Sequence, residues 1–168
     1  MTGTLKVDAI QNNTGTDVMT FDTDGHTHSS NPVACRLWWS HSGGSNNTDN
    51  LHLYFIENAG GFTITNNNAR LVVPVSGWYI VMAGMIPQGA VVDFDYRVLK
   101  NTTSSSPFLF DMRQADAASG THQNSSGQVA THMNANDYIT IMSLDDGDAA
   151  HTGNADNPHC YLSLIRVG

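Results

Sequence analysis

From residue 33 onward, short strand-forming runs follow one another, separated by clusters of Gly, Asn, Ser and Pro, and no stretch carries the 3.6-residue period of an amphipathic helix. The runs are "PVACRLWW", "LHLYFI", "ARLVVPV", "GWYIVMAGMI", "VVDFDYRVLK", "PFLFDMRQ", "GQVATHM", "DYITIMSL" and "HCYLSLIRV". This spacing predicts a sandwich or barrel. "VVDFDYRVL" puts Val92, Phe94, Tyr96 and Val98 on one face and Asp93, Asp95 and Arg97 on the other, which predicts one packed and one wet side. Asp93 and Asp95 then read as solvent-facing partners of Arg97. "GWYIVMAGMI" is apolar on both faces. It predicts a central strand covered by a second sheet or by another subunit. Trp38, Trp39, Trp78, Tyr79 and Met82 are candidates for core or subunit-interface packing.

Residues 1–25 read as a unit of their own. "TLKVDAI" alternates Leu5, Val7 and Ala9 with Lys6 and Asp8, "NNTGTD" is a turn cluster, and "VMTFD" opens a second short strand. A hairpin this small is not stable alone, so it must pack on a partner or on copies of itself. The expected organisation is an anchoring hairpin over 1–25, a hinge over 26–32 and a head over 33–168.

Composition narrows the class. A 40% hydrophobic content supports a packed core, while charged residues make up only 13% of the chain, about half the usual ~25%. Glu57 is the only glutamate, and Lys6 and Lys100 are the only lysines. Surface helices draw heavily on both residue types, so the chain reads as all-β. The net charge of −8 argues against nucleic acid, which calls for a basic footprint. No apolar run approaches a membrane span, so no membrane insertion is expected. The N-terminus "MTGTLKVDAI" has no signal-peptide core. The expectation is assembly in the cytoplasm, with the Asn-x-Ser/Thr sites at Asn12, Asn46, Asn101 and Asn124 left unglycosylated.

"ARLVVPVSGWYIVMAG" resembles the complement component 1q globular head, in which a strand runs through Val-Pro and a Ser-Gly turn into Tyr-x-x. "YRVLKN" is similar to that family's strand ending in Lys-Asn, and "SSGQVATHMNANDYITIMSL" to its Ser-rich lead into strand, turn and strand. Two departures stand out. Asn136-Asp137 replaces the usual Gly-Asp, and "HCYLSLIRVG" lacks the closing Phe-x-Gly-Phe. The resemblance covers roughly residues 33–168 and implies a ten-strand jelly-roll sandwich of the tumour-necrosis-factor-like superfamily, assembled as a homotrimer. In that superfamily the first and last strands are neighbours, so Cys35 and Cys160 could lie close enough to pair. The simpler reading is two small buried residues.

The N-terminal "GTLKVDAIQNNTGTDVMTFDTDG" resembles the opening of many tailed-phage virion proteins, and "GHTH" is similar to histidine-containing joints in phage fibres. Together the two resemblances imply a virion structural protein: a trimeric fibre or tip joined to other virion proteins through residues 1–25. The alternatives are a capsid decoration (cement) protein anchored by the same segment, and a free carbohydrate-binding module.

Candidate sites follow from this frame. His26 and His28 lie two residues apart, on one side of an extended backbone. In a trimer six imidazoles would meet on the axis, a set suited to iron, nickel or zinc; otherwise "DTDGHTHSSNP" is a solvated turn. "LDDGDAAHTGNADNPH" gathers Asp145, Asp146, Asp148, Asn154 and Asp156. Its oxygens suit calcium, but the spacing is not that of an EF-hand, and a solvated acidic loop is the simpler account. In an antiparallel jelly roll the loops around 40–50, 87–90, 114–126 and 145–157 share the pole opposite the anchor. They carry His41, Asn46, Asn47, His122, Asp145, Asp146, Asp148 and His151, the candidate contacts to a host surface glycan or protein. Neither Gly-x-Ser-x-Gly nor His-Glu-x-x-His occurs, and no catalytic role is expected.

Overall fold

The computed structural model describes residues 9–11, 17–21, 27–29, 33–41, 51–85, 94–114, 125–144 and 160–167. The chain divides into two compact units, Met1–Pro32 and Val33–Gly168. Among the described residues all regular structure is β, and no helix is long and apolar enough to cross a membrane.

The first unit is an antiparallel sheet of β1 (Ala9–Gln11), β2 (Asp17–Phe21) and β3 (Thr27–Ser29), in that order. Ile10 pairs with Met19, and Thr20 pairs with His28. The hairpin is thus extended by a third strand, supplied from residues expected as a hinge. "THS" has no apolar alternation to announce it. Pairing with β2 instead satisfies backbone groups that a two-stranded edge would leave open. Three strands is also about the minimum for a sheet that stands by itself.

The second unit is a sandwich of two five-stranded antiparallel sheets. Its strands are β4 (Ala34–His41), β5 (Leu51–Ala59), β6 (Thr63–Thr65), β7 (Arg70–Val72), β8 (Gly77–Met85), β9 (Phe94–Lys100), β10 (Phe110–Gln114), β11 (Ser125–Met133), β12 (Tyr138–Ser143) and β13 (Tyr161–Val167). One sheet runs β10-β9-β12-β7-β6, the other β11-β8-β13-β4-β5. This is a ten-strand jelly roll. Nine strands coincide with the nine predicted runs. The tenth, β6, is only three residues long and sits between Gly60-Gly61 and Asn66-Asn67-Asn68.

Strand alternation fills the space between the sheets. Tyr79, Val81 and Ala83 of β8 point inward with Tyr96 and Val98 of β9 and Ile139 and Ile141 of β12, all fully buried. The Trp39 and Tyr96 rings lie 5.5 Å apart, and Phe62 meets Tyr79 edge-on at 6.2 Å. Polar atoms on these rings find partners, as buried Trp and Tyr usually do. Trp39 Nε1 donates to the Tyr161 carbonyl at 3.1 Å, and the Tyr79 hydroxyl donates to the Val75 carbonyl at 2.7 Å. Along one side the Phe110 ring of β10 lies against Gly127 of β11, leaving no room for a Cβ there.

The wet side expected for β9 is covered. Leu99 is fully buried and Asp95 nearly so. Arg97 donates from Nη1 to the Ser105 carbonyl at 2.8 Å and lies 4.6 Å over the Phe108 ring. The polar segment after β9 turns back over the strand, which alternation within the strand cannot reveal. Asp95 does sit beside Arg97, at 3.7 Å, whereas Asp93 lies outside the described residues.

Every non-glycine residue with positive φ among those described is an asparagine: Asn66, Asn67, Asn68, Asn101 and Asn136. Asparagine tolerates the left-handed region better than other side chains. The Asn-rich composition is therefore spent partly on turns. The consecutive trio at 66–68 closes the β6–β7 turn, with the Ala69 N–H reaching the Thr65 carbonyl at 3.1 Å and the Leu53 N–H reaching the Asn68 carbonyl at 2.8 Å.

Candidate self-association face

One sheet of the sandwich has an outward face unlike an ordinary solvated surface. Four cross-strand rows follow from the register of β11, β8, β13, β4 and β5. They are Ser126-Gly84-Tyr161-Trp38-Tyr54, Gln128-Met82-Ser163-Arg36-Glu57, Ala130-Ile80-Ile165-Ala34-Ala59, and the shorter His132-Trp78-Val167. Among the described residues seven large apolar side chains are exposed, and five of them (Tyr54, Trp78, Tyr161, Ile165 and Val167) belong to these rows. Trp78 is 55% exposed. Scattered apolar residues need no explanation, but their concentration on one sheet face marks an interaction site.

The face is built as well as apolar. Trp38 stacks on Tyr54 with ring centroids 4.2 Å apart and planes 14° from parallel. Trp78 meets His132 edge-on at 5.9 Å. Tyr161 lies across Gly84, where a Cβ would run into its ring. Two depressions flank Met82. One, of about 200 Å³, is lined by Ala34, Arg36, Glu57, Ala59 and Ile165; the other, of about 330 Å³, by Ser126, Gln128 and Tyr161. The first is smaller than the roughly 300–1,000 Å³ usual for small-molecule sites and the second is at the lower end of that range, and both are half open to solvent rather than enclosed. Such open contours suit an interlocking protein surface.

The aromatic residues singled out in the sequence divide between the two sides of this sheet. Trp39 and Tyr79 are fully buried between the sheets, while Trp38, Trp78 and Met82 lie on the outward face. Tyr54, Tyr161, Ile165 and Val167 were not among the residues singled out from the sequence. Alternation in "YLSLIRV" held the signal: Leu162 and Leu164 point in, so Tyr161, Ser163, Ile165 and Val167 point out.

Cys35 and Cys160 are both reduced and buried. Cys35 is opposite Leu164, while the Cys160 carbonyl accepts from the Trp39 N–H at 3.1 Å. The two thiols are therefore four residues apart along the β4–β13 ladder, ~13 Å at the usual rise, which is beyond disulfide reach. Burial, partly offset by a hydrogen bond from the Leu164 backbone, pushes the Cys35 thiol up to about 12.

The strand ends that flank residues 42–50, 86–93, 115–124 and 145–159 lie at one pole of the sandwich. His41 pairs with Leu51, Met85 with Ser125, Gly84 with Tyr161, Phe94 with Gln114, and Tyr96 with Ser143. Val33 is at the opposite pole, where its carbonyl accepts from the Arg166 N–H at 2.8 Å. Asn46, Asn47, His122, Asp145, Asp146, Asp148 and His151 lie outside the described residues, as do His26 and the side chains of His28 and His41. Among the described residues no three His, Cys, Asp or Glu side chains gather as a metal site.

No protein-family model and no curated protein matches the sequence. The backbone does have solved counterparts. The Eiger tumour necrosis factor of S. frugiperda superposes with a TM-score of 0.64 at 10% identity, covering 82% of this chain and 94% of that one. Murine APRIL at pH 8.0 gives 0.62 at 12% identity, with 80% and 98% covered, and at pH 5.0 gives 0.60 at 10%, with 81% and 99% covered. At this identity the likeness is one of architecture: the chain has a tumour-necrosis-factor-like jelly-roll fold.

Proposed function

We propose that this chain is a non-enzymatic structural protein that works as a homotrimer, its jelly-roll units packed through the outward face of β11-β8-β13-β4-β5. The observation that carries this reading is the concentration of exposed Trp78, Tyr161, Ile165, Val167 and Tyr54 on that one face. Taking a large apolar side chain from full exposure to full burial contributes roughly 1.5–3 kcal/mol, and these five, already about half buried, would each add about half of that. Several buried together can therefore outweigh the cost of association.

The setting we propose is the virion of a tailed phage, assembled in the host cytoplasm. Its support is the likeness of "GTLKVDAIQNNTGTDVMTFDTDG" to the openings of phage virion proteins. The N-terminal unit joins other virion proteins, and the pole flanked by His41, Met85, Ser125 and Ser143 faces a host glycan or protein. Reconstruction of the particle tests this setting. Density for the head at a tail fibre or tip is expected. Density at capsid three-fold positions would make the protein a decoration protein, and absence from particles would contradict the virion role.

A further inference from the structure

Within the four rows of the outward face, Arg36 and Glu57 are the only Lys, Arg, Asp or Glu. They are register partners on β4 and β5, both exposed, and both line the 200 Å³ depression beside Ala34, Ala59, Met82 and Ile165. Neither takes part in an ion pair among the described residues. A guanidinium and a carboxylate on an apolar face lose their water when that face is covered, and an unpaired buried charge is costly. A covering surface that brings a negative group to Arg36 and a positive one to Glu57 offsets that cost, and no pair among the described residues already does so. A second copy of this chain carries both, side by side, on the same face.

We propose that Arg36 and Glu57 are the register-setting charges of self-association, Arg36 of one copy pairing with Glu57 of the next around the ring. This rests on the self-association reading above and adds to it the pair that selects one alignment of an otherwise non-directional apolar face. Paired charges of this kind act on specificity more than on raw affinity, and a misaligned face would bury them unpaired. In a closed ring every copy offers one Arg36 and one Glu57, so all the pairs are satisfied.

The test uses the full chain in a dilution series followed by light scattering. Arg36→Glu and Glu57→Arg, each alone, should weaken assembly by about tenfold or more, because like charges then meet. Mixing the two variants should restore assembly above that of either one. A single reversal that assembles like the parent overturns the proposal, and so does a mixture no better than its components. A parent chain that is itself monomeric removes the self-association reading, so the two failures are distinguishable. Should a reversal disturb folding, the paired change Arg36→Gln and Glu57→Gln takes its place. Parental assembly should then weaken with added salt more steeply than that of the double variant; equal salt slopes overturn the proposal.

Discussion

The side-chain amide of Asn101 donates to Asp137 Oδ1 at 2.7 Å, while the Asn101 Oδ1 accepts from the Tyr138 N–H at 2.8 Å. Asp137 Oδ2 accepts from the Asn134 N–H at 2.8 Å and lies 3.3 Å from Lys100 Nζ. The Lys-Asn end of β9 and the Asn-Asp turn before β12 are thus one clamp. Burial alone would push the Asp137 carboxyl up, but the hydrogen bonds from Asn101, Asn134 and Lys100 outweigh it and hold the group below its ordinary value. Folding therefore favours the ionised form. Its contribution is present above the unfolded value of ~3.9 and is lost as pH falls through the depressed folded value. Asp137→Ala should cost about 2 kcal/mol at neutral pH and flatten this acid limb in a denaturation series.

Asn136 has φ of 72°, in the region where glycine is unstrained. Asn136→Gly should leave the melting midpoint nearly unchanged, while Asn136→Ala should lower stability by about 1–2 kcal/mol. Chemical denaturation of the two variants separates these outcomes.

Cys35 and Cys160 should both titrate as thiols after denaturation and resist modification in the native protein. Burial and the raised Cys35 value leave little thiolate at neutral pH. Intact-mass measurement after alkylation, with and without denaturant, reads this directly, and reductant should not change the melting midpoint.

Gly84→Ala probes the face without touching the core. Its Cβ would meet the Tyr161 ring, whose exposed end is free to swing outward. Fold stability should change by less than about 1 kcal/mol, as for an exposed adjustment. Assembly should weaken, because the tyrosine is displaced from the centre of the contact surface. Circular dichroism and light scattering on one sample report the two effects separately.

Much of the sandwich was legible because each strand repeats at period two and ends at Gly, Asn or Pro. "GWYIVMAGMI" gave its central place through apolar residues on both faces, as β8 between β11 and β13. β6 and β3 were not legible, being three residues each, too short for a period of two to stand out. Cover over Arg97 came from Ser105 and Phe108, outside the strand whose pattern was read. Charges at Arg36 and Glu57 meet only through β4–β5 pairing, and a bulge between Arg36 and Leu37 shifts that register. No count along the sequence would have joined them.

The mass of the full chain in solution at micromolar concentration decides whether the outward face of β11-β8-β13-β4-β5 is a subunit interface. Light scattering should give three times the 18.1 kDa of one chain, and Trp78→Ser combined with Ile165→Ser should shift the mass toward that of one chain while the β-rich spectrum is retained. A parent protein that stays at 18.1 kDa, or a double variant that assembles like the parent, would show that this face does not hold the chains together.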